Sequence, residues 1–241
     1  MLPGVPDLKV VPADGAPDDR LPAAVLFDMD GTLVDTEPFW MSAEVDLAAA
    51  YGAAWTHQDA LAMVGNPLPS CAAALRERGV PLADDEIIDV LCDRVAAGVA
   101  AGIPWQAGAE ELLHAVRDAG LPMALVTSSY RRLAEPFAAA VGLFDVVVAG
   151  DDVRRPKPDP EPYLTAAARL GVDVAACVAV EDSRSGIASA LASGARVLAV
   201  EVMQPVTAQP GLSRVASLAD VSVAHLARVH GGEVLDLRRA G

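Results

Sequence analysis

Four short clusters in this 241-residue chain carry side chains suited to chemistry. The first is Asp28 and Asp30, with one residue between them at the end of an apolar run and followed at once by Gly31. Two bare carboxylates ~4 Å apart repel by roughly 4 kcal/mol at an effective dielectric of about 20. A divalent cation removes that conflict, and hard carboxylate oxygens suit Mg2+. The plainer reading is an Asp-Gly turn, and this cluster alone does not choose. An EF-hand loop is excluded, because its glycine stands sixth and Gly31 is fourth from Asp28. The second cluster is Thr127, Ser128 and Ser129. Hydroxyls and loop N–H groups there suit phosphate oxygens, or equally a helix cap. The third is Lys157 in "RRPKPDP", one of only two lysines, the other being Lys9. It is an anion-holding cation or a surface lysine. The fourth is Glu181 and Asp182, with Ser183 and Gly186 behind them. A helix cap accounts for Ser183, but a metal explains two adjacent acids more economically.

These clusters need elements to carry them. Short apolar runs ("AAVLFD", "LPMALVTSS", "FDVVVAG", "CVAVED", "ARVLAV") alternate with helix-length stretches that end in glycine. Unbroken apolar runs of this length read as parallel strands buried on both faces. The alternation predicts an α/β fold with a doubly wound parallel sheet. All four clusters then fall at strand C-termini, where such sheets place their ligands. One segment breaks the alternation: residues 36–104 show no strand signal and read as a helical insert, a cap after the first strand. Thr36 is its expected opening cap, and Thr56-x-x-Asp59 reads as a capping box. The core is expected over residues 22–35 and 105–230. Residues 1–21 read as a flexible lead-in and 231–241 as a loose tail. "EVMQPVTAQPGL" reads as loop, and "SLADVSVAHLARV" as one final helix.

The net charge of −15 argues against a nucleic-acid binder, because phosphate backbones need basic surface. Three cysteines without a C-x-x-C pair fit a reduced compartment and no zinc site. No apolar run approaches the ~18 residues of a membrane span, and the first residues lack a signal-peptide core. A cytoplasmic monomer is expected. The histidines, at 57, 114, 225 and 230, lie outside every cluster and receive no role; Trp55 and Trp105 read as core.

Together the four clusters resemble the haloacid dehalogenase superfamily: "DMDGT" as its first motif, Thr127 as the second, Lys157 as the third and "EDSRSG" as the fourth. The long insert and the "DTEP" and "EDS" details are similar to the subgroup of β-phosphoglucomutases and small sugar-phosphate phosphatases. The resemblance implies that Asp28 is a nucleophile forming an aspartyl-phosphate and that Asp30 is the acid/base. It implies Mg2+ held by Asp28, the Asp30 carbonyl and Asp182, with Glu181 beside or among the ligands. Thr127, Ser128 and Lys157 would hold phosphate, and Arg131 and Asn66 are candidate substrate contacts. The expected partner is a small phosphorylated metabolite.

Within that resemblance, Asp30 speaks against dehalogenation, since a halide leaving group needs no proton. The insert contains no lysine, against a Schiff-base phosphonatase. A mutase needs a cap cation for its second phosphate, but "GNPLPS" has none, and Trp40 stands where a histidine is expected. The expectation is a phosphatase. A phosphosugar mutase and a catalytically silent phospho-ligand binder are the alternatives.

Overall fold

The computed structural model describes residues 21–63, 66–202 and 205–238. Among these residues seven strands form one parallel sheet in the order β3-β2-β1-β4-β5-β6-β7. They are β1 (Ala24–Phe27), β2 (Met123–Val126), β3 (Val146–Val148), β4 (Cys177–Glu181), β5 (Arg196–Val200), β6 (Leu212–Val215) and β7 (Asp236–Leu237). The chain winds outward through β2 and β3, then returns to the other side of β1 as β4. The reversal leaves a crevice beyond the C-termini of β1 and β4, the place where open α/β sheets bind ligands. Register is fixed there by Leu26 opposite Ala179 and Phe27 opposite Val180.

Both faces of β1 are sealed. Val25 and Phe27 point into one apolar cluster; Ala24 and Leu26 point into the other. The second cluster is built largely of alanine, with Tyr163, Ala166 and Ala167 of α7 (Glu161–Leu170) and Ile187 and Ala190 of α8 (Arg184–Ser193). The first is closed by α5 (Ala109–Asp118), α6 (Arg131–Val141) and α9 (Val223–His230).

Among the described residues four helices lie between β1 and α5: α1 (Glu37–Ala50), α2 (His57–Met63), α3 (Leu68–Glu77) and α4 (Asp84–Ala101). Leu47, Leu75, Ile87, Leu91 and Val95 bury their shared face. At Gly98 an added Cβ would lie 2.9 Å from the Phe39 ring, so glycine lets α1 and α4 close up. The Thr56–Asp59 capping box forms, with the Thr56 N–H donating to Asp59 at 2.8 Å and the Asp59 N–H to Thr56 Oγ1 at 3.2 Å. The chain enters and leaves this insert side by side. Val34 bridges Trp105, the Asp35 N–H donates to the Pro104 carbonyl at 2.8 Å, and the Gln106 N–H donates to that of Leu33 at 2.8 Å.

Four local expectations are corrected. The "loop" after β5 ends in strand β6. The tail is not loose over 235–238: β7 pairs with β6, Leu235 is buried, and Asp236 pairs with Arg214 at 2.8 Å. A two-residue strand is too short for its alternation to be read. The single final helix is split. Ser217 caps a 3-10 turn over Leu218–Asp220, Val221 is extended, and α9 begins after Ser222. Thr36 precedes α1 without capping it; its hydroxyl is used elsewhere. Residues 1–20 and 239–241 of the expected lead-in and tail lie outside the described residues.

Candidate active site

The sheet delivers Asp28. Its N–H still donates to the Val180 carbonyl at 3.0 Å, so the strand geometry carries one residue past β1 and the carboxylate emerges in the crevice. It is buried. Lys157 meets it there with all three ammonium protons committed: to Asp28 Oδ1 at 2.7 Å, Glu181 Oε1 at 2.7 Å and the Val126 carbonyl at 2.8 Å. The buried Tyr163 lies under the ammonium, its ring centroid 5.2 Å away, and donates its O–H to Glu181 Oε1 at 3.2 Å.

Glu181, at the end of β4, is saturated. Its second oxygen accepts from the N–H groups of Asp182 and Ser183, both at 2.9 Å, and from the Ser183 hydroxyl at 3.0 Å. Ser183 in turn caps α8, accepting from the Gly186 N–H at 3.0 Å, as its position in the sequence predicted. Asp182 Oδ1 accepts from Thr32 Oγ1 at 2.9 Å. Two glycines allow this crowding. A Cβ at Gly186 would lie 1.5 Å from Glu181 Oε1, and one at Gly31 2.3 Å from Asp182 Oδ2. Gly31 also sits at φ +85°, a conformation that other residues disfavour.

The electrostatics leave negative charge over. Burial, helped by Glu181, pushes Asp28 up to about 7 despite the opposing pull of Lys157. Burial, with Asp28 and Glu181 behind it, pushes Asp182 well above the usual carboxylate range. Lys157, although buried, is held above the ordinary lysine range by Asp28 and Glu181. One ammonium thus faces three carboxylates whose oxygens lie within 4.8 Å of one another. Among the described residues, Asp28 Oδ2 and Asp182 Oδ2 accept no hydrogen bond, whereas both Glu181 oxygens are occupied. A buried Asp28 and a half-buried Asp182, each with one oxygen that accepts no hydrogen bond and each resisting ionisation on its own, fit a hard divalent cation whose charge would favour their ionised forms.

Asp30 has different neighbours from Asp28. Its Oδ1 accepts from Thr36 Oγ1 at 2.6 Å and Trp40 Nε1 at 3.4 Å; its Oδ2 accepts from Thr127 Oγ1 at 3.1 Å and Ser129 Oγ at 2.8 Å. Asp30 is therefore gripped by α1 of the insert on one side and by the loop after β2 on the other. Thr127 is buried and braced by the Ser129 N–H at 2.9 Å. Ser128 is exposed, and its carbonyl lies against Gly150, where a Cβ would come within 2.1 Å.

The two candidate substrate contacts are elsewhere engaged. Arg131 is bound by the carboxylates of Asp152 and Glu135, and Asn66 is exposed and donates to the Ala62 carbonyl at 2.8 Å. Neither hydrogen-bonds to the residues above. Sequence reasoning missed Thr32, Thr36, Ser129 and Tyr163 as supports. Thr32, Thr36 and Ser129 lie inside or beside the quoted motifs, so their hydroxyls were the available signal; Tyr163, in a helix of alanines, offered none.

A doubly wound sheet with a buried acid–lysine–acid cluster at its switch point defines a class of α/β enzymes rather than one activity. The comparisons narrow it. The haloacid dehalogenase-like hydrolase family matches residues 25–200, and the chain belongs to that family. It is 34% identical over 193 residues to protein CbbY of Rhodobacter capsulatus, covering 73% of this chain and 83% of that one. It is 33% identical over 186 residues to the fructose-1-phosphate phosphatase YqaB of Escherichia coli, covering 75% and 97%. The solved structure of CbbY from Rhodobacter sphaeroides in complex with phosphate superposes with a TM-score of 0.75 at 27% identity, covering 83% and 96%. Among the described residues no helix is long and apolar enough to cross a membrane.

Proposed function

We propose that this chain is a Mg2+-dependent phosphatase that hydrolyses a small phosphorylated sugar or polyol through an aspartyl-phosphate on Asp28. The observation that carries the reading is the Lys157 ammonium bridging Asp28 and Glu181 beside the two free oxygens of Asp28 and Asp182. The family and the phosphatase named among its relatives support it.

Asp28 and Asp182 would hold the cation, with Glu181 serving as the lysine's anchor. When bound, Mg2+ would neutralise charge on the phosphoryl oxygens. Lys157 fixes the Asp28 carboxylate in the attacking orientation and adds positive charge beside the phosphoryl group. Attack by an Asp28 oxygen on phosphorus breaks the bond to the leaving alkoxide, which takes a proton from Asp30. Asp30 then removes a proton from the water that attacks the aspartyl-phosphate, regenerating Asp28 and releasing phosphate. In the described state Asp30 accepts from four donors and is an acceptor. Delivering a proton requires it to turn from Thr36 and Trp40 toward the substrate.

Hydrolysis is favoured over phosphosugar mutation because the arginines of α3 and its C-terminus are already paired: Arg76 with Asp84 at 2.8 Å and Arg78 with Asp59 at 2.6 Å. The test is phosphate release from p-nitrophenyl phosphate and a panel of sugar and polyol phosphates, with Mg2+ and with chelator. Activity should vanish in chelator and return with Mg2+. Asp28→Asn should lose turnover, and Asp30→Asn should lose about 10²–10⁴-fold. Near-normal rates in Asp28→Asn or in chelator would overturn the reading. With β-glucose 1-phosphate and a trace of bisphosphate, faster formation of glucose 6-phosphate than of phosphate would identify a mutase instead.

A further inference from the structure

Tyr163 is a phenol where a phenylalanine would serve for packing. It is the third residue of α7 and is fully buried. With Ala166 and Ala167 of the same helix it packs among apolar side chains of β1, β2 and β4, among them Leu26, Val126 and Ala179. A phenylalanine would fill nearly the same space with no hydroxyl to desolvate, and a buried hydroxyl is costly unless it is partnered. The partner here is Glu181 Oε1 at 3.2 Å, an oxygen that already receives Lys157 at 2.7 Å. The ring centroid lies 5.2 Å from the Lys157 ammonium, within the distance at which a cation is drawn to an aromatic face. One side chain thus holds both members of the buried ion pair.

The two contacts act differently on the lysine. The hydroxyl shares Glu181 Oε1 with the ammonium and so dilutes the pull of that carboxylate. Glu181 cannot turn to compensate, because Oε2 is held by the N–H groups of Asp182 and Ser183 and by the Ser183 hydroxyl. The ammonium therefore stands between two carboxylates at the same distance, 2.7 Å from Glu181 Oε1 and 2.7 Å from Asp28 Oδ1. Because it holds Oδ1, its position sets the direction of Oδ2, the oxygen of Asp28 that no donor occupies among the described residues. The ring attracts the ammonium whatever the charge on Asp28. In the aspartyl-phosphate the Asp28 oxygens no longer carry a full charge, whereas Glu181 keeps its own. A lysine governed by carboxylates alone would then settle on Glu181. The ring and the Val126 carbonyl, at 2.8 Å, are partners that the reaction leaves unchanged.

We propose that Tyr163 is a positioning residue: through its hydroxyl and its ring it fixes the Lys157 ammonium between Glu181 and Asp28, and through that ammonium it aims the Asp28 carboxylate. The kinetic consequence rests on the reaction assigned above; the placement of the lysine does not. Misdirecting a nucleophile slows the chemical step far more than it weakens capture of substrate, and the loop after β2 is untouched. Tyr163→Phe keeps the ring and deletes the hydroxyl, and should lower kcat about tenfold with KM within about threefold, the scale of one hydrogen bond to a charged group. Tyr163→Leu removes both contacts and should lower kcat about 30- to 100-fold.

The sequence makes the lysine directly observable. The chain has two lysines, Lys9 and Lys157, so protein labelled with 13C,15N-lysine gives two sets of side-chain resonances, and Lys9→Arg identifies those of Lys157. An aromatic ring facing the ammonium displaces the Lys157 signals from ordinary lysine values. Tyr163→Leu should abolish that displacement. Tyr163→Phe should keep it while moving the ammonium resonance, because Glu181 Oε1 loses its second donor. Turnover of p-nitrophenyl phosphate with Mg2+ is measured on the same proteins. The hydroxyl acts through Glu181, so in a Glu181→Gln background Tyr163→Phe should cost less than about twofold more; a tyrosine that only fills space would cost the same in both backgrounds. Should Tyr163→Leu fail to fold, Tyr163→Phe and its cycle with Glu181→Gln decide the matter. Unchanged Lys157 resonances in folded Tyr163→Leu, a Tyr163→Phe kcat within about twofold of the parent, or an undiminished effect of Tyr163→Phe beside Glu181→Gln would each overturn the proposal. If the resonances move as expected while the parent turns over no phosphate ester, the hold on the lysine stands and the assigned reaction fails.

Discussion

Replacing Lys157 by methionine keeps the length of the side chain and removes its charge. The consequence follows from where the ammonium sits. It is buried, it satisfies two carboxylates and one carbonyl, and no other side-chain cation contacts Asp28 or Glu181 among the described residues. Breaking a buried pair by removing one partner costs about 3–5 kcal/mol, because the other charge is left uncompensated. For a chain of this size each kcal/mol moves Tm by roughly 2–4 °C, so Lys157→Met in chelator should melt roughly 6–20 °C below the parent. Mg2+ held by Asp28 and Asp182, as proposed, would supply a replacement charge there, so it should raise the variant's Tm by more than the parent's. Asp28→Asn added to Lys157→Met removes one stranded carboxylate and should recover part of the loss in chelator. The assay is calorimetric or fluorescence-monitored unfolding of the four combinations, with and without Mg2+. A Tm unchanged by Lys157→Met, or single and double variants whose effects simply add, would refute the view that this lysine exists to balance the cluster.

Two further outcomes follow from buried groups. Glu44 of α1 is buried, with Trp55 Nε1 at 3.1 Å and the Cys71 thiol at 3.3 Å as its donors among the described residues, and burial raises its carboxyl above the ordinary value. The folded state therefore holds this proton more tightly than the unfolded state does. Its contribution to stability is full below the unfolded pKa and is lost as pH rises through the folded one. Glu44→Gln should gain Tm relative to the parent on going from pH 5 to pH 8; an offset equal at both pH values would contradict the burial argument. Gly186→Ala should stabilise α8 by helix propensity alone, yet its Cβ would meet Glu181 Oε1 at 1.5 Å. Displacing Glu181 drags Lys157 with it, and turnover should fall about 10²-fold; unchanged turnover would mean that the Glu181 side chain is free to relocate.

How much of this was legible in the sequence depends on range. The strands of the sheet centre were legible because they are sealed on both faces, which leaves an unbroken apolar signature from Ala24 to Phe27 and from Cys177 to Val180. β7 was not, because two residues have no period. The four clusters were legible because sheet geometry collects strand C-termini, so position along the chain already implied proximity. What the sequence could not supply was direction. Asp28 and Asp30 are two residues apart, but the tight turn at Gly31, closed by its N–H to the Val34 carbonyl at 2.8 Å, separates their partners. Nor could it show that Arg131 is spoken for: its acids Asp152 and Glu135 are twenty-one and four residues away, and only the fold brings the farther one into reach.

The same distinction bears on Thr36, which by sequence is a helix cap and in the structure caps nothing. Its hydroxyl hydrogen goes to Asp30 at 2.6 Å, and α1 starts instead on Pro38 in its first turn, which needs no N–H acceptor there. A capping residue has been released from its local duty by a proline, and its donor is spent on a carboxylate six residues back. The second donor from this stretch of chain, Trp40 Nε1, reaches the same oxygen from one turn further along the helix. Helix α1 thus presents two donors, at successive turns, to the proposed acid/base from the insert side, while Thr127 and Ser129 present two from the sheet side. Thr36 lies at the crossing itself and Trp40 one turn beyond it, so two of the four donors to Asp30 belong to the start of the insert and two to the sheet domain. The carboxylate proposed as acid/base is therefore held jointly by the start of the insert and by the loop after β2, and neither side alone fixes its orientation.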